Sequence, residues 1–206
     1  MRGFTLLLAW VMSFSRWPLA VLLTAVSLEL LAYRLAFSAF DSLVMLAWAL
    51  LALCTYRPMR ASPLALQRVW WLALLLYPCW EFGLKWLITR NVIASSWFWL
   101  NRLEHLGWML SLLLLLLPAY RRVWTFGWPL ATLFVLGLGA LIGNLNEFWE
   151  YAVRLQAGTA GNGSLYGDTV LDLLTNVPGA MLACVIGGRL LASPAVGPRP
   201  QRSAPG

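Results

Sequence analysis

The residues able to do acid, base or metal chemistry crowd into three short stretches. NRLEH holds Asn101, Glu104 and His105; GNLNEFWEY holds Asn144, Asn146, Glu147 and Glu150; DTVLDLLTN holds Asp168, Asp172 and Asn176. Residues three and four apart share a helix face, so Asn101 projects beside Glu104 and His105, and Glu147 stands between Asn144 and Glu150. Asp168, Asp172 and Asn176 recur at every fourth position, drifting about 40° per step around a helix, and form a polar ridge running into an apolar segment. Asp168 also suits an N-cap or first helical turn, whereas Asp172 and Asn176 lie too deep in the run for that. One imidazole among several carboxylates fits a general acid and base, or a hard or borderline divalent metal ion. His105, Glu147 and Asp172 are the candidate catalytic groups, Glu150 and Asp168 the candidate metal ligands, and Asn101, Glu104, Asn144 and Asn176 complete the polar site. His105 is the chain's single histidine, which excludes a three-histidine zinc centre, and no G-x-S-x-G elbow offers a serine nucleophile.

The elements that must position these groups are helices in a membrane. The 206 residues are 61% hydrophobic and 11% charged, against about 25% charge in a soluble domain, and the mean hydropathy is +0.73. Cut into apolar runs of roughly 20 residues, the sequence predicts an all-α, polytopic transmembrane bundle of about six spans occupying residues 1–192. The crossings are placed at Trp17–Phe37, Ala39–Tyr56, Val69–Ile88, Leu103–Tyr120, Trp124–Tyr151 and Asp168–Leu191. The stretch Gly3–Phe14 is short for a crossing and lacks a small-residue cleavage site, so it is expected at the interface or as an extension of the first span. The proline- and glycine-rich tail, 193–206, is expected to be disordered.

Charge then sets orientation. The net +7 comes from basic residues set singly or in pairs between apolar runs, a pattern that fits topology rather than nucleic-acid binding. Arg57, Arg60 and Arg68, then Arg121 and Arg122, then Arg189, Arg199 and Arg202 fall on alternate connections, which places both termini in the cytoplasm and the chain in a plasma (inner) membrane. All eight acids then fall in the outward half, with Glu29 and Asp41 read as outer-loop acids. Trp80, Trp86, Trp97, Trp99, Trp108 and Trp149 are expected at the outer interface, and Trp70, Trp71, Trp124 and Trp128 at the inner one. Cys54, Cys79 and Cys184 lie far apart without C-x-x-C spacing and read as packing residues.

An ionised carboxylate facing hydrocarbon costs about 2.5–3.5 kcal/mol on insertion scales, so Glu147 and Asp172 must face partners inside the bundle. The cations at hand, Lys85, Arg102, Arg154 and protonated His105, are fewer than the acids, which leaves a carboxylate to be protonated or to bind a metal ion. Glu81 and Lys85, four apart, read as an ion pair within one helix. Asn176, just before Pro178, is able to bond carbonyls that the proline frees, and Gly137, Gly139 and Gly143 suit close helix packing.

At these three segments the chain resembles the VanZ-like and YjdF-like integral membrane families. The matching residues are His105 in NRLEH, Glu147 or Glu150 in NEFWEY, and Asp168, Asp172, Asn176 and Gly179 in DTVLDLLTNVPG, over roughly residues 100–190. Where those families often carry Asp-Lys or Asp-Arg before the histidine, this chain has Asn101-Arg102. The resemblance implies a bacterial envelope protein, one branch of the families being linked to tolerance of lipid-binding glycopeptide antibiotics; it supplies no reaction.

Three functions stay open on the sequence. One is an envelope enzyme acting on a lipid headgroup or lipid-linked precursor, with or without a divalent metal ion. Another is a transporter or proton-coupled channel, against which stand the absence of acids from the inner half and of an inverted repeat. The third is a non-catalytic, lipid-binding protein whose polar cluster only joins helices.

Overall fold

A computed structural model describes residues 18–36, 39–94, 97–156, 158 and 164–191. The stretches Gly3–Phe14 and 193–206, for which the sequence carries expectations, lie outside the described residues. Among those described, the protein is all-α: α1 (Pro18–Ala36), α2 (Ala39–Arg60), α3 (Leu64–Thr89), α4 (Phe98–Tyr120), a 3₁₀ turn (Arg121–Phe126), α5 (Trp128–Gln156) and α6 (Ser164–Leu191). Three helical segments, Phe98–Phe126, Trp128–Gln156 and Gly167–Leu191, are long and apolar enough to cross a membrane.

Local sequence explains the breaks. Pro63, at φ −56°, precedes the first residue of α3, where its missing N–H costs nothing. At the other end of α3 the Asn91 N–H donates to Ile88 O at 2.9 Å and the Val92 N–H to Leu87 O at 2.9 Å. That pairing, with Asn91 at φ 56°, is a Schellman stop in which asparagine takes the left-handed position. Gly127, at φ 94°, turns the chain from the 3₁₀ segment into α5, a conformation that a β-carbon would strain. Within α3, Pro78 cannot donate to Leu74 O four residues back, and the indole N–H of Trp48 on α2 approaches that carbonyl at 3.4 Å.

The fourth helix is the axis of the bundle. It buries residues around most of its circumference, among them Met109, Leu112, Leu113, Leu114, Leu115 and Leu117, and it packs against α6, α3 and α2. By contrast α5 buries a single stripe, Ala131, Val135, Gly139, Gly143 and Glu147, one residue in every four. The facing stripe of α6 runs Asp172, Asn176, Ala180 and Cys184. A β-carbon on Gly139 would lie 3.0 Å from Ala180 Cβ, and one on Gly143 would lie 2.8 Å from Asn176 Nδ2. Two every-fourth ridges therefore interlock in antiparallel register, and the next step of that register sets Glu147 opposite Asp172.

Several expectations are corrected. Trp70 and Trp71 are buried in the core rather than set at an interface. The indole N–H of Trp70 donates to Thr55 Oγ1 at 2.9 Å, and the Thr55 hydroxyl donates to Leu51 O at 2.8 Å. Thr55→Val is therefore expected to lower stability by about 1–3 kcal/mol, because a buried indole N–H loses its acceptor; thermal unfolding in detergent measures it. Cys54 and Cys79 are exposed, and Cys184 alone is buried. A β-carbon at Gly137 would meet nothing within 4 Å, so this glycine is no packing contact. Glu29 lies within α1 rather than in a loop, and neither of its carboxylate oxygens bonds to protein. Because α6 begins at Ser164, Asp168 sits beyond the first turn and is not its N-cap.

Candidate functional site

Helices α4 and α6 begin at the same end of the bundle and run parallel, while α5 arrives there from the opposite end. Their polar residues meet at that level. Arg102, His105, Glu147, Asp172 and Asn176 are 7%, 8%, 8%, 2% and 3% exposed, so all five have left the surface. Among the described residues one His, Glu and Asp set brings its ligating atoms within 4.8 Å of one another: His105, Glu147 and Asp172, one from each helix.

Asp172 is the hub. Asn101 donates its Nδ2 to both carboxylate oxygens, at 2.9 Å and 3.1 Å, and Arg102 donates Nη1 to Oδ1. The other guanidinium nitrogen of Arg102 reaches Asp168 Oδ1 at 2.9 Å, so one planar fork spans two acids a turn apart. Its guanidinium also stacks over Phe98 at 5.0 Å. His105 Nε2 stands 3.5 Å from Asp172 Oδ2, beyond good hydrogen-bond length.

Around this hub lies a set of side chains with unused bonding capacity. His105 Nδ1, Glu147 Oε1 and both side-chain atoms of Asn176 are buried and make no hydrogen bond to protein. The expectation that Asn176 serves the carbonyls freed by Pro178 is thus corrected; it lies beside His105 instead. Such groups cost about 1–3 kcal/mol each when left unmatched in a dry interior, and their concentration at one spot marks a place built for something polar.

A cavity of about 130 Å³ opens beside His105, with Tyr77, Glu81 and Lys85 of α3, Asn101 and Glu104 of α4, and Asn146 and Glu150 of α5 on its walls. Glu81 and Lys85 form the expected ion pair at 3.2 Å, and the pair lines this cavity. Glu150 accepts from Asn146 Nδ2 at 2.9 Å and lies 3.4 Å from Arg154 Nη2, which also stands 3.8 Å from Asp168 Oδ2. Glu150 and Asp168 are therefore bound up with arginines at the rim, one layer out from the His105, Glu147 and Asp172 group. Asn144 is exposed and donates to Ala140 O of its own helix at 2.8 Å; it faces the outer groove between α5 and α6.

No protein-family model, curated protein or solved structure matches this chain. The chemistry must therefore be read from the geometry.

Arg102, by sequence only one of the available cations, bonds both Asp168 and Asp172 here. Its position three residues before His105 was the usable signal, since it shares a face with His105 as Asn101 does. Tyr77 of α3, Glu81 and Lys85 were not placed among the site residues either, because no spacing within one helix can relate α3 to α4.

A second feature adjoins the cluster. An apolar groove of about 480 Å³ runs along the outside of α5 and α6, floored by Gly139, Ala140 and Gly143 and walled by Leu173, Leu174 and Val177. Asn144 and Asn176 lie on it, and Asn176 also faces His105.

Proposed function

We propose that this chain is a multi-pass protein of a bacterial inner membrane, with about six crossings and both termini cytoplasmic, whose polar site faces outward and acts on a lipid headgroup or a lipid-linked envelope precursor. Arginines at the far end of the bundle support the orientation. Arg57 and Arg60 close α2, Arg121 and Arg122 follow α4, and Arg189 lies in the last turn of α6, all opposite the acids. The proposed likeness to the VanZ-like and YjdF-like families rests on the short motifs around His105, Glu147 and Asp172 alone.

One observation carries the reading: Asn176 belongs both to the buried polar cluster and to the apolar groove. An acyl or prenyl chain lying in the groove would hold its headgroup at the level of His105, where a general acid and base stand in reach of it. A transporter needs a polar route onward, and α4 continues below His105 with Met109, Leu113 and Leu117, all fully buried.

The test is turnover in vesicles. Reconstituted protein is incubated with a total bacterial lipid extract and headgroup-altered products are sought by mass spectrometry. Product is expected with the wild type, at least about 100-fold less with Glu147→Gln, the scale of a lost general acid or base, and reduced with Val177→Trp, which fills the groove. Wild-type turnover unaffected by either substitution would remove the proposal, and solute flux without any lipid product would favour the transporter.

A further inference from the structure

The distances inside the cluster point to a metal site in place of a free acid and base pair. His105 Nε2 and Asp172 Oδ2 are 3.5 Å apart, too long for a strong charge-assisted hydrogen bond, which falls near 2.7–2.9 Å. Two ligands bound at about 2.0–2.2 Å to one tetrahedral ion stand about 3.4 Å apart. The third donor, Glu147, keeps an oxygen buried and unbonded to protein, and the Asn176 side chain beside His105 is unbonded at both its atoms.

The supports around the donors are arranged as metal sites arrange them. Asn101 and Arg102 fix the Asp172 carboxylate, Arg102 on Oδ1 and Asn101 on both oxygens, with Oδ2 turned to the imidazole. Outer partners of this kind hold a ligating carboxylate in orientation and raise affinity. Charge agrees as well. Asp168 and Glu150 are met by Arg102 and Arg154 at the rim, and Arg102 also serves Asp172, but among the described residues no cation stands within ion-pair distance of Glu147, whose Oε1 is buried without a bond. A buried carboxylate without a cation beside it is costly, and a dication shared with Asp172 removes that cost.

We infer that His105, Glu147 and Asp172, one from each of α4, α5 and α6, are the protein ligands of a single divalent ion of the first transition row, with the Asn176 carbonyl oxygen able to close a fourth position. One imidazole with carboxylate and carbonyl oxygens is a set suited to Zn²⁺ or Mn²⁺, and the absence of sulfur among the donors argues against copper(I). The candidate ligands drawn from sequence, Glu150 and Asp168, are then the outer layer. The inference rests on reading the cluster as a working site, and its test measures metal rather than turnover, so each can fail alone.

The full chain is purified in detergent with a histidine-free tag, stripped by chelator, and dialysed against Zn²⁺ or Mn²⁺ alone. Wild type is expected to retain about one ion per chain and to unfold at a higher temperature for it. Glu147→Gln and His105→Ala are expected to lose the ion and the thermal increment, Glu150→Gln to keep both, and Asn101→Ala to bind roughly 10–100-fold more weakly. Because His105 is the chain's single histidine, ¹⁵N-histidine labelling of the Mn²⁺-loaded wild type gives a test that needs no variant: pulsed paramagnetic resonance should show coupling to that nitrogen. Wild type that retains no ion, an ion retained equally by Glu147→Gln, or an ion without nitrogen coupling would overturn the inference.

Discussion

Arg102→Leu is expected to destabilise the folded chain by about 3–5 kcal/mol, the range for stripping one partner from a buried ion pair. Asp172 is 2% exposed and would keep only the Asn101 amide and the imidazole of His105 at 3.5 Å. Asp168 would retain Arg154 at 3.8 Å, so the loss centres on Asp172. Arg102→Lys should fall between, because one ammonium cannot bridge both acids as a planar fork does. Removing the acid as well tests the mechanism. The double variant Arg102→Leu with Asp172→Leu should recover part of the stability, since apolar replacement of a whole buried pair is often neutral or better. Unfolding in detergent with increasing denaturant measures all three, and an Arg102→Leu protein within 1 kcal/mol of wild type would contradict the electrostatic account.

The second large effect is steric. Gly179→Val should cost about 1–3 kcal/mol or more and also loosen the polar cluster. A β-carbon at Gly179 would stand 2.7 Å from the backbone oxygen of Leu106 and 3.1 Å from Met109 Cβ, and a backbone oxygen in the middle of a helix cannot swing aside. The helices α4 and α6 would have to separate, drawing Asp172 away from Asn101 and Arg102. Gly137→Ala is the matched control: it meets nothing within 4 Å, and alanine inside a helix gains roughly 0.5–1 kcal/mol over glycine. Melting temperatures should move in opposite directions, and equal shifts would show that glycine's flexibility, not the close approach, is what counts.

The helical plan was largely legible, because an apolar run of crossing length is a one-dimensional signal. Ends were not. The third helix begins at Leu64 rather than Val69 and α6 at Ser164 rather than Asp168, since hydropathy marks where a helix turns apolar while the backbone continues past that point. Burial was also hard to read. Trp70 and Trp71 lie in the core although their place near the end of a run suggested an interface; in a membrane both the core and the lipid face are apolar, so composition does not separate them. The polar residues of α4, α5 and α6 stood out because each is costly in its setting, and the every-fourth spacing put Asp168, Asp172 and Asn176 on one ridge. Which of them meet depends on helix register, fixed here by the contacts of Gly139 and Gly143 with Ala180 and Asn176, and a single sequence holds no measure of register between helices.

At the end of the bundle away from the acids, Arg121 Nη1 donates to Ala61 O at 3.0 Å and to Ser62 Oγ at 2.9 Å, while the Gln67 side chain donates to Ser62 O at 2.8 Å. The turn after α4 is thereby buttoned to the turn between α2 and α3. Directional bonds resist sliding in a way that oily contacts do not, so α4 is pinned near both its ends, here to the turn between α2 and α3 and at its start to α6 through Asn101 and Arg102, like a plank nailed at two points.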